Sequence, residues 1–221
     1  MEGLKIPDLY DLSHTAAGEY LKQFQYPWEA LAGLKDFILQ LGAELDVKQY
    51  DEILPQVWVN KTAKVAPTAY LGAPCIVGAK TEIRHCAFVR GSALIGENCV
   101  VGNSVELKNA ILFDNVQVPH FNYVGDSILG YRSHMGAGSV TSNVKSDKTL
   151  VCVRCDGEKL ETGLKKFGAM LGDFVEVGCN SVLNPGTVIG RHTNIHPLSS
   201  VRGFIPADSI YKSADKVVRK S

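Results

Sequence analysis

The chain has 221 residues, 45% of them hydrophobic, and balances 23 basic against 23 acidic side chains; this is the composition of a folded globular protein and excludes a disordered one. Zero formal net charge removes the uniform cationic field that non-specific nucleic-acid or membrane-surface binding needs, so neither partner is expected and recognition must come from local sites. The apolar stretch from Phe37 to Leu41 is too short to span a bilayer, and Glu2 follows Met1 where a secretory leader would be basic. The expected compartment is cytoplasmic, with Cys75, Cys86, Cys99, Cys152, Cys155 and Cys179 as reduced thiols rather than a disulfide framework.

Residues 1–56 are expected to form a helical N-terminal cap. From Pro27 to about Leu45, the residues Leu31, Leu34, Ile38, Leu41 and Leu45 recur at helical spacing, and Pro27 suits a first turn. Beyond residue 57 the period becomes six. Val59, Val65, Leu71, Val77, Ile83, Val89, Ile95, Val101, Leu107 and Phe113 follow one another at that step, with small residues such as Ala63, Cys75, Ala87 and Ala93 four places further on. The run restarts at Leu171 and continues through Val177, Leu183, Ile189, Ile195 and Val201. A period of six matches neither the 3.6 of a helix nor the 2 of a simple strand, but it matches a mainly β protein built as a parallel β-helix, three hexapeptide repeats to a triangular coil. Gly72, Gly78, Gly96, Gly102, Gly172, Gly178 and Gly190 follow inward aliphatics, where positive φ at a corner would favour them.

Residues 57–206 are thus expected to form the solenoid, with an insertion at about 144–170. There Thr149 to Val153 followed by Asp156-Gly157 predicts a β-hairpin. Residues 207–221 are expected to form a polar, mobile C-terminal tail. Between the two hexad runs, Val118, Val124, Leu129 and Met135 show steps of five as well as six.

Chemistry is sought where the repeat is replaced. Arg84, Arg90 and Lys108 stand where Gly is otherwise favoured, and His120 lies in Val118-Pro-His-Phe-Asn-Tyr-Val-Gly-Asp126, where the period shifts. Read from the residues alone, this is either a solvated basic edge with a surface histidine or an anion site with an acid–base group.

The segments Gly102-Asn-Ser-Val-Glu-Leu-Lys108, Pro119-His-Phe-Asn-Tyr-Val-Gly-Asp126 and Gly136-Ala-Gly-Ser-Val-Thr-Ser-Asn143 resemble the acetyltransferase half of the bifunctional N-acetylglucosamine-1-phosphate uridylyltransferases. Gly163-Leu-Lys-Lys-Phe-Gly-Ala-Met-Leu-Gly-Asp173 and Asn184-Pro-Gly are similar to the archaeal sugar-1-phosphate nucleotidylyltransferases. The resemblance covers roughly residues 57–206 and implies left-handed winding and a homotrimer with its active site shared between neighbouring prisms. It also implies transfer from acetyl-CoA to an amino-sugar phosphate or nucleotide sugar, without a metal. In that reading His120 is the general base, Asn143 is the second catalytic residue beside the reacting amine, Arg90 and Lys108 hold the phosphate, and Tyr123 contacts the sugar. His134 replaces the family's Asn in substrate binding. Cys179 replaces a Ser near the acetyl-CoA thioester. No Gly-rich nucleotide loop precedes residue 57, so nucleotidyl transfer is not expected from this chain and a separate nucleotidylyltransferase is a candidate partner. No C-terminal Arg segment for CoA is matched after Ile205.

Two other readings follow from the residues. His85, His120 and His134 on one solenoid suggest a metal-dependent hexapeptide enzyme of the gamma carbonic anhydrase kind, but Gly125 stands five residues after His120 where that site needs a second histidine. Cys152-Val-Arg-Cys155 lacks a second pair for zinc. The remaining alternative is a non-catalytic sugar-nucleotide-binding or oligomerisation subunit.

Overall fold

Strand pairing in the computed structural model, which describes residues 2–155 and 157–220, is parallel throughout the solenoid. Val59 lies against Val77 and Val77 against Ile95, so three hexads close one coil. Each coil contributes a short rung to three faces. Face 1 runs from Val57–Asn60 to Phe204–Ile205, face 2 from Lys64–Val65 to Ser209–Ser213, and face 3 from Tyr70–Leu71 to Ser200–Val201. The prism interior holds the aliphatics of the repeat, with Val77, Val89, Val101, Leu107, Leu171 and Leu183 fully buried.

The register departs from the sequence reading at one residue. Leu107 pairs with Val89 but Ala110 pairs with Ala93, so the corner between faces 3 and 1 is one residue shorter in this coil. Leu112, not Phe113, therefore faces the interior beside Ile95, and the Phe113 ring packs against Tyr10 at 5.0 Å. The next coil repeats the short corner, with Leu112 opposite Leu129. One residue lost in a strand of period two hands a side chain to the other surface.

The repeat glycines are also explained differently. The left-handed positions of the corners fall at residues such as Lys80, Cys86, Asn98 and Arg132, all non-glycine. The hexad glycines are required by stacking instead: a Cβ on Gly102 would lie 1.6 Å from the Pro119 carbonyl oxygen of the next coil.

The N-terminal segment does not sit on the end of the prism as a cap would; it runs along face 1. Four short helical pieces, Ile6–Leu9, Leu12–His14, Gly18–Leu21 and Pro27–Leu31, precede the helix Leu34–Ala43. The outward residues of face 1 are the reason. Ile76, Leu94, Ile111, Ile128, Met170 and Val188 form one apolar column, each no more than 2% exposed, and water contact for such a column is unfavourable by about 25 cal/mol per Å². Leu34, Ile38 and Gly42, one turn apart on one stripe of the helix, are buried against it. The close approach of Gly42 to the Trp58 ring leaves 2.3 Å for any Cβ. At the other end Gly3 meets Phe204. Hydrogen bonds pin this arm: Asp173 N–H donates to the Leu9 carbonyl, Asp114 N–H to the His14 carbonyl, and Asp11 N–H to the Asp173 carboxylate at 2.7 Å.

Beyond face 3 of the fifth coil the chain leaves the prism and returns at Ala169–Leu171. Cys152–Cys155 pairs antiparallel with Glu158–Glu161, so the strands of the expected hairpin start later than Thr149, and the Asp156 of its predicted turn lies outside the described residues. Alternation sends the Cys152 and Cys155 side chains to opposite faces of their strand. The C-terminal segment is not a mobile tail: Ser209–Ser213 pairs with Lys216–Arg219, and Ser209 and Tyr211 are buried. This hairpin closes the last coil, as Tyr50–Leu54 paired with Val57–Asn60 closes the first.

Two outcomes follow. Ile128→Ala, beneath the arm, is expected to cost about 2–4 kcal/mol in denaturant unfolding, whereas Val140→Ala, outward on uncovered face 3, is expected to cost under about 0.5 kcal/mol. Burial raises the Asp114 pKa, so its contribution to stability is full below the ordinary carboxylate pKa and is lost as pH rises through the raised value. Asp114→Asn should accordingly melt higher than the parent by a margin that grows from pH 4 to pH 7 and vanishes in more acidic buffer.

Candidate functional site

The short corner between faces 3 and 1 is where polar side chains converge. Two seven-residue strands, Glu106–Leu112 and Tyr123–Leu129, run through it side by side. Asn109 and Asp126 make the bend at φ 50° and 49°, a conformation that Asn and Asp tolerate better than other residues with a Cβ. The bend turns the Asp126 carboxylate into the protein, where it is 5% exposed and needs partners.

It has three. The Lys108 ammonium lies 3.3 and 3.2 Å from the two carboxylate oxygens. The Asn109 side-chain amide donates to one oxygen at 2.9 Å and the Asn143 amide to the other. Asn143 also donates to the Tyr123 hydroxyl at 3.1 Å. Burial, and after it the Asp126 and Glu106 carboxylates, raise the Tyr123 pKa, so the phenol keeps its proton and can donate to a ligand. One coil away, Arg90 makes a 2.7 Å ion pair with Glu106, which raises the guanidinium pKa further. Arg90 and Lys108 border a cavity of about 280 Å³ with Lys35, Ser92 and Asn109.

Four of the residues singled out in the sequence therefore meet here: Lys108, Tyr123 and Asn143 around Asp126, and Arg90 on the adjoining rung. The other three do not touch this cluster. His120 ends the face 2 strand Gln117–His120, at the edge shared by faces 2 and 3, so it stands at the opposite margin of face 3. Its imidazole is exposed and makes no hydrogen bond to any described residue, while the neighbouring Phe121 is 60% exposed. His134 points outward from face 2, its Nδ1 2.8 Å from Glu176 Oε2, beside a cavity of about 520 Å³ that Gln117, Arg132 and Phe174 also line. Cys179 is exposed on the same edge as His120 and two coils away.

Sequence reasoning missed Asp126, Asn109 and Glu106. The available signal was the change of step from six to five, since a shortened corner brings side chains of successive coils to one point. Asp126→Ala should leave the Lys108 ammonium partly buried without its counter-ion and release Asn143, at a cost of about 3–5 kcal/mol in thermal or chemical unfolding. A variant as stable as the parent would show that the cluster is not a structural unit.

The bifunctional protein GlmU of Methanococcus maripaludis is 27% identical over 219 residues, which are 98% of this chain and 53% of that protein. A bifunctional sugar-1-phosphate nucleotidylyltransferase/acetyltransferase of Sulfurisphaera tokodaii is 30% identical over 106 residues, 48% of this chain and 26% of its own length. The chain spans about half the length, or less, of the curated relatives it matches. The solved structure of an N-acyltransferase mutant from Bacillus cereus, bound to dTDP and coenzyme A, aligns with 75% of this chain and 80% of its own at a TM-score of 0.36 and 18% identity. Residues 74–196, more than half of the chain, match the family described as the GMPPB C-terminal domain. The chain belongs to that family.

Proposed function

We propose that this chain transfers an acetyl group from acetyl-CoA to the amine of an amino-sugar phosphate or nucleotide-linked amino sugar. The observation that carries the reading is the arrangement across face 3. Arg90, Lys108, Asn143 and the Tyr123 hydroxyl lie at one margin, and the imidazole of His120 stands at the other, one short strand away. The names of the relatives, GlmU and sugar-1-phosphate nucleotidylyltransferase/acetyltransferase, support the same substrate class.

In this reading the sugar lies across face 3 with its phosphate toward Arg90 and Lys108. A guanidinium and an ammonium on adjoining rungs, roughly 4.8 Å apart, can both reach one phosphate. Tyr123, protonated, donates to a sugar oxygen, and Asn143, oriented by Asp126, stands beside it. When bound, acetyl-CoA would supply the thioester carbonyl: the amine nitrogen bonds to its carbon, the C–S bond breaks, and coenzyme A leaves as the thiolate, which takes up a proton. His120 accepts the proton that the amine loses as its bond to the carbonyl carbon forms, and can pass it to the leaving thiolate. Cys179 and the exposed Leu198 lie on the same edge as His120 and would border the pantetheine arm of acetyl-CoA there.

A homotrimer belongs to the proposal. The arm covers face 1, which leaves faces 2 and 3 and their shared edge, with exposed Phe88, Phe121 and Leu198, for a second copy. Among the described residues no helix is long and apolar enough to cross a membrane. The exposed thiols of Cys86 and Cys179 suit a reducing cytoplasm. A separate nucleotidylyltransferase would consume the acetylated sugar phosphate.

The second reading, a non-catalytic binding or assembly subunit, is favoured by one observation: Arg90 and Lys108 are each already paired with a carboxylate. Thiol release from acetyl-CoA with a panel of amino-sugar phosphates separates the two. Turnover is expected, and His120→Ala should lower kcat by roughly 10²-fold or more while sugar-phosphate binding is kept. Absence of thiol release with every acceptor would favour the second reading.

A further inference from the structure

We infer that Lys35, carried on the N-terminal arm, is a specificity residue that gives the Arg90–Lys108 cleft its preference for a phosphate dianion. The inference rests on the proposed acceptor site and adds to it a residue from outside the solenoid.

The charge balance of the cleft is the ground for it. Arg90 is paired with Glu106 at 2.7 Å and Lys108 with Asp126 at 3.2 Å. Each couple is neutral as a whole, so the two solenoid cations bring little net field to the cavity. Lys35 lines the same cavity of about 280 Å³ and makes no ion pair with any described residue. Its neighbour Asp36 is not among the lining residues, and no carboxylate is. The surplus positive charge at the cleft is therefore the Lys35 ammonium.

Its position is held by the fold. Leu34, immediately before it, is fully buried against face 1, and the Asn109 amide, which also binds Asp126, donates to the Leu31 carbonyl at 3.4 Å. The arm and the polar corner are thus joined one turn from Lys35. A phosphate monoester carries a charge of about −1.5 to −2 at neutral pH, more than a neutral ion-pair cluster can balance. With Lys35 the cleft offers one uncommitted cation and two donors, Arg90 and Lys108, whose remaining N–H groups can bind oxygen. An unphosphorylated amino sugar, itself cationic when protonated, gains nothing from the same charge.

The test is titration calorimetry with glucosamine-1-phosphate, free glucosamine and inorganic phosphate as probes. Lys35→Gln removes the charge and keeps a polar side chain, one bond shorter than that of lysine. It should weaken glucosamine-1-phosphate about tenfold, and inorganic phosphate by the same factor, while leaving free glucosamine unchanged. Lys35→Arg should restore binding to within about threefold of the parent. Lys48→Gln, an exposed lysine of the arm away from the cleft, should behave as the parent. If Arg90→Ala loses the sugar phosphate while Lys35→Gln binds it as tightly as the parent, the role of Lys35 is overturned and the acceptor site stands. If neither variant changes phosphate binding, the acceptor site falls as well. Equal weakening of glucosamine-1-phosphate and free glucosamine by Lys35→Gln would mean a displaced arm and would also overturn the inference.

Discussion

Ile76, Leu94, Ile111, Ile128, Met170 and Val188 all point away from the prism interior, yet none of them meets water. A solenoid with an apolar column on an outer face must cover it, and nearly every departure of this chain from a plain repeat follows from that requirement. The arm lies along face 1 because the column is there. Its carbonyls at Leu9 and His14 take the backbone N–H groups of Asp173 and Asp114, which would otherwise have no partner once the arm excludes water. With one face occupied, any lateral association is confined to the other two. The cover also reaches the corner where Asp126 gathers Lys108, Asn109 and Asn143: the Leu31 carbonyl accepts from Asn109, and Lys35 borders a cleft that the solenoid alone would leave open.

Asp126 plays within the cluster a part like that of the column in the whole fold. A carboxylate turned inward on a left-handed bend cannot remain unpaired, and satisfying it fixes the rotamers of three side chains, two from the coil before it and one from the coil after. The chemistry proposed for Tyr123 and Asn143 uses groups whose orientation is already determined before a ligand arrives.

Much of this was legible in the sequence, for a physical reason. A prism interior admits one aliphatic per hexad, so Val77, Val89, Val101 and Leu183 declared both the fold and their own burial. The motif around His120, Tyr123 and Asn143 named the residues of the site but not which of them would meet. That depended on the short corner, visible only as an irregular step, and it moved Phe113 from the interior to the arm. The arm itself was misplaced for a simpler reason. Leu31, Leu34 and Ile38 announce a buried helical stripe without naming its partner, although Trp58, Ile76, Leu94 and Met170 carried the matching signal at the outward position of the same coils. Lys35 could not be read at all, since a single lysine next to Asp36 on a helix has no sequence mark of its surroundings.

The direction of the arm has a consequence for how the molecule is assembled. It runs against the advance of the coils: Gly42 rests on Trp58, whereas Gly3 rests on Phe204 and Asp11 bonds to Asp173, 162 residues away. During synthesis the helix Leu34–Ala43 can therefore settle as soon as the first coils emerge, but Leu4, Ile6 and Leu9 have no surface to cover until the last coils exist. Such distant contacts carry a loop-closure cost and slow their own formation. Residues made before the solenoid are thus among the last to find their place, and the nascent solenoid holds the later part of its apolar column open until they do.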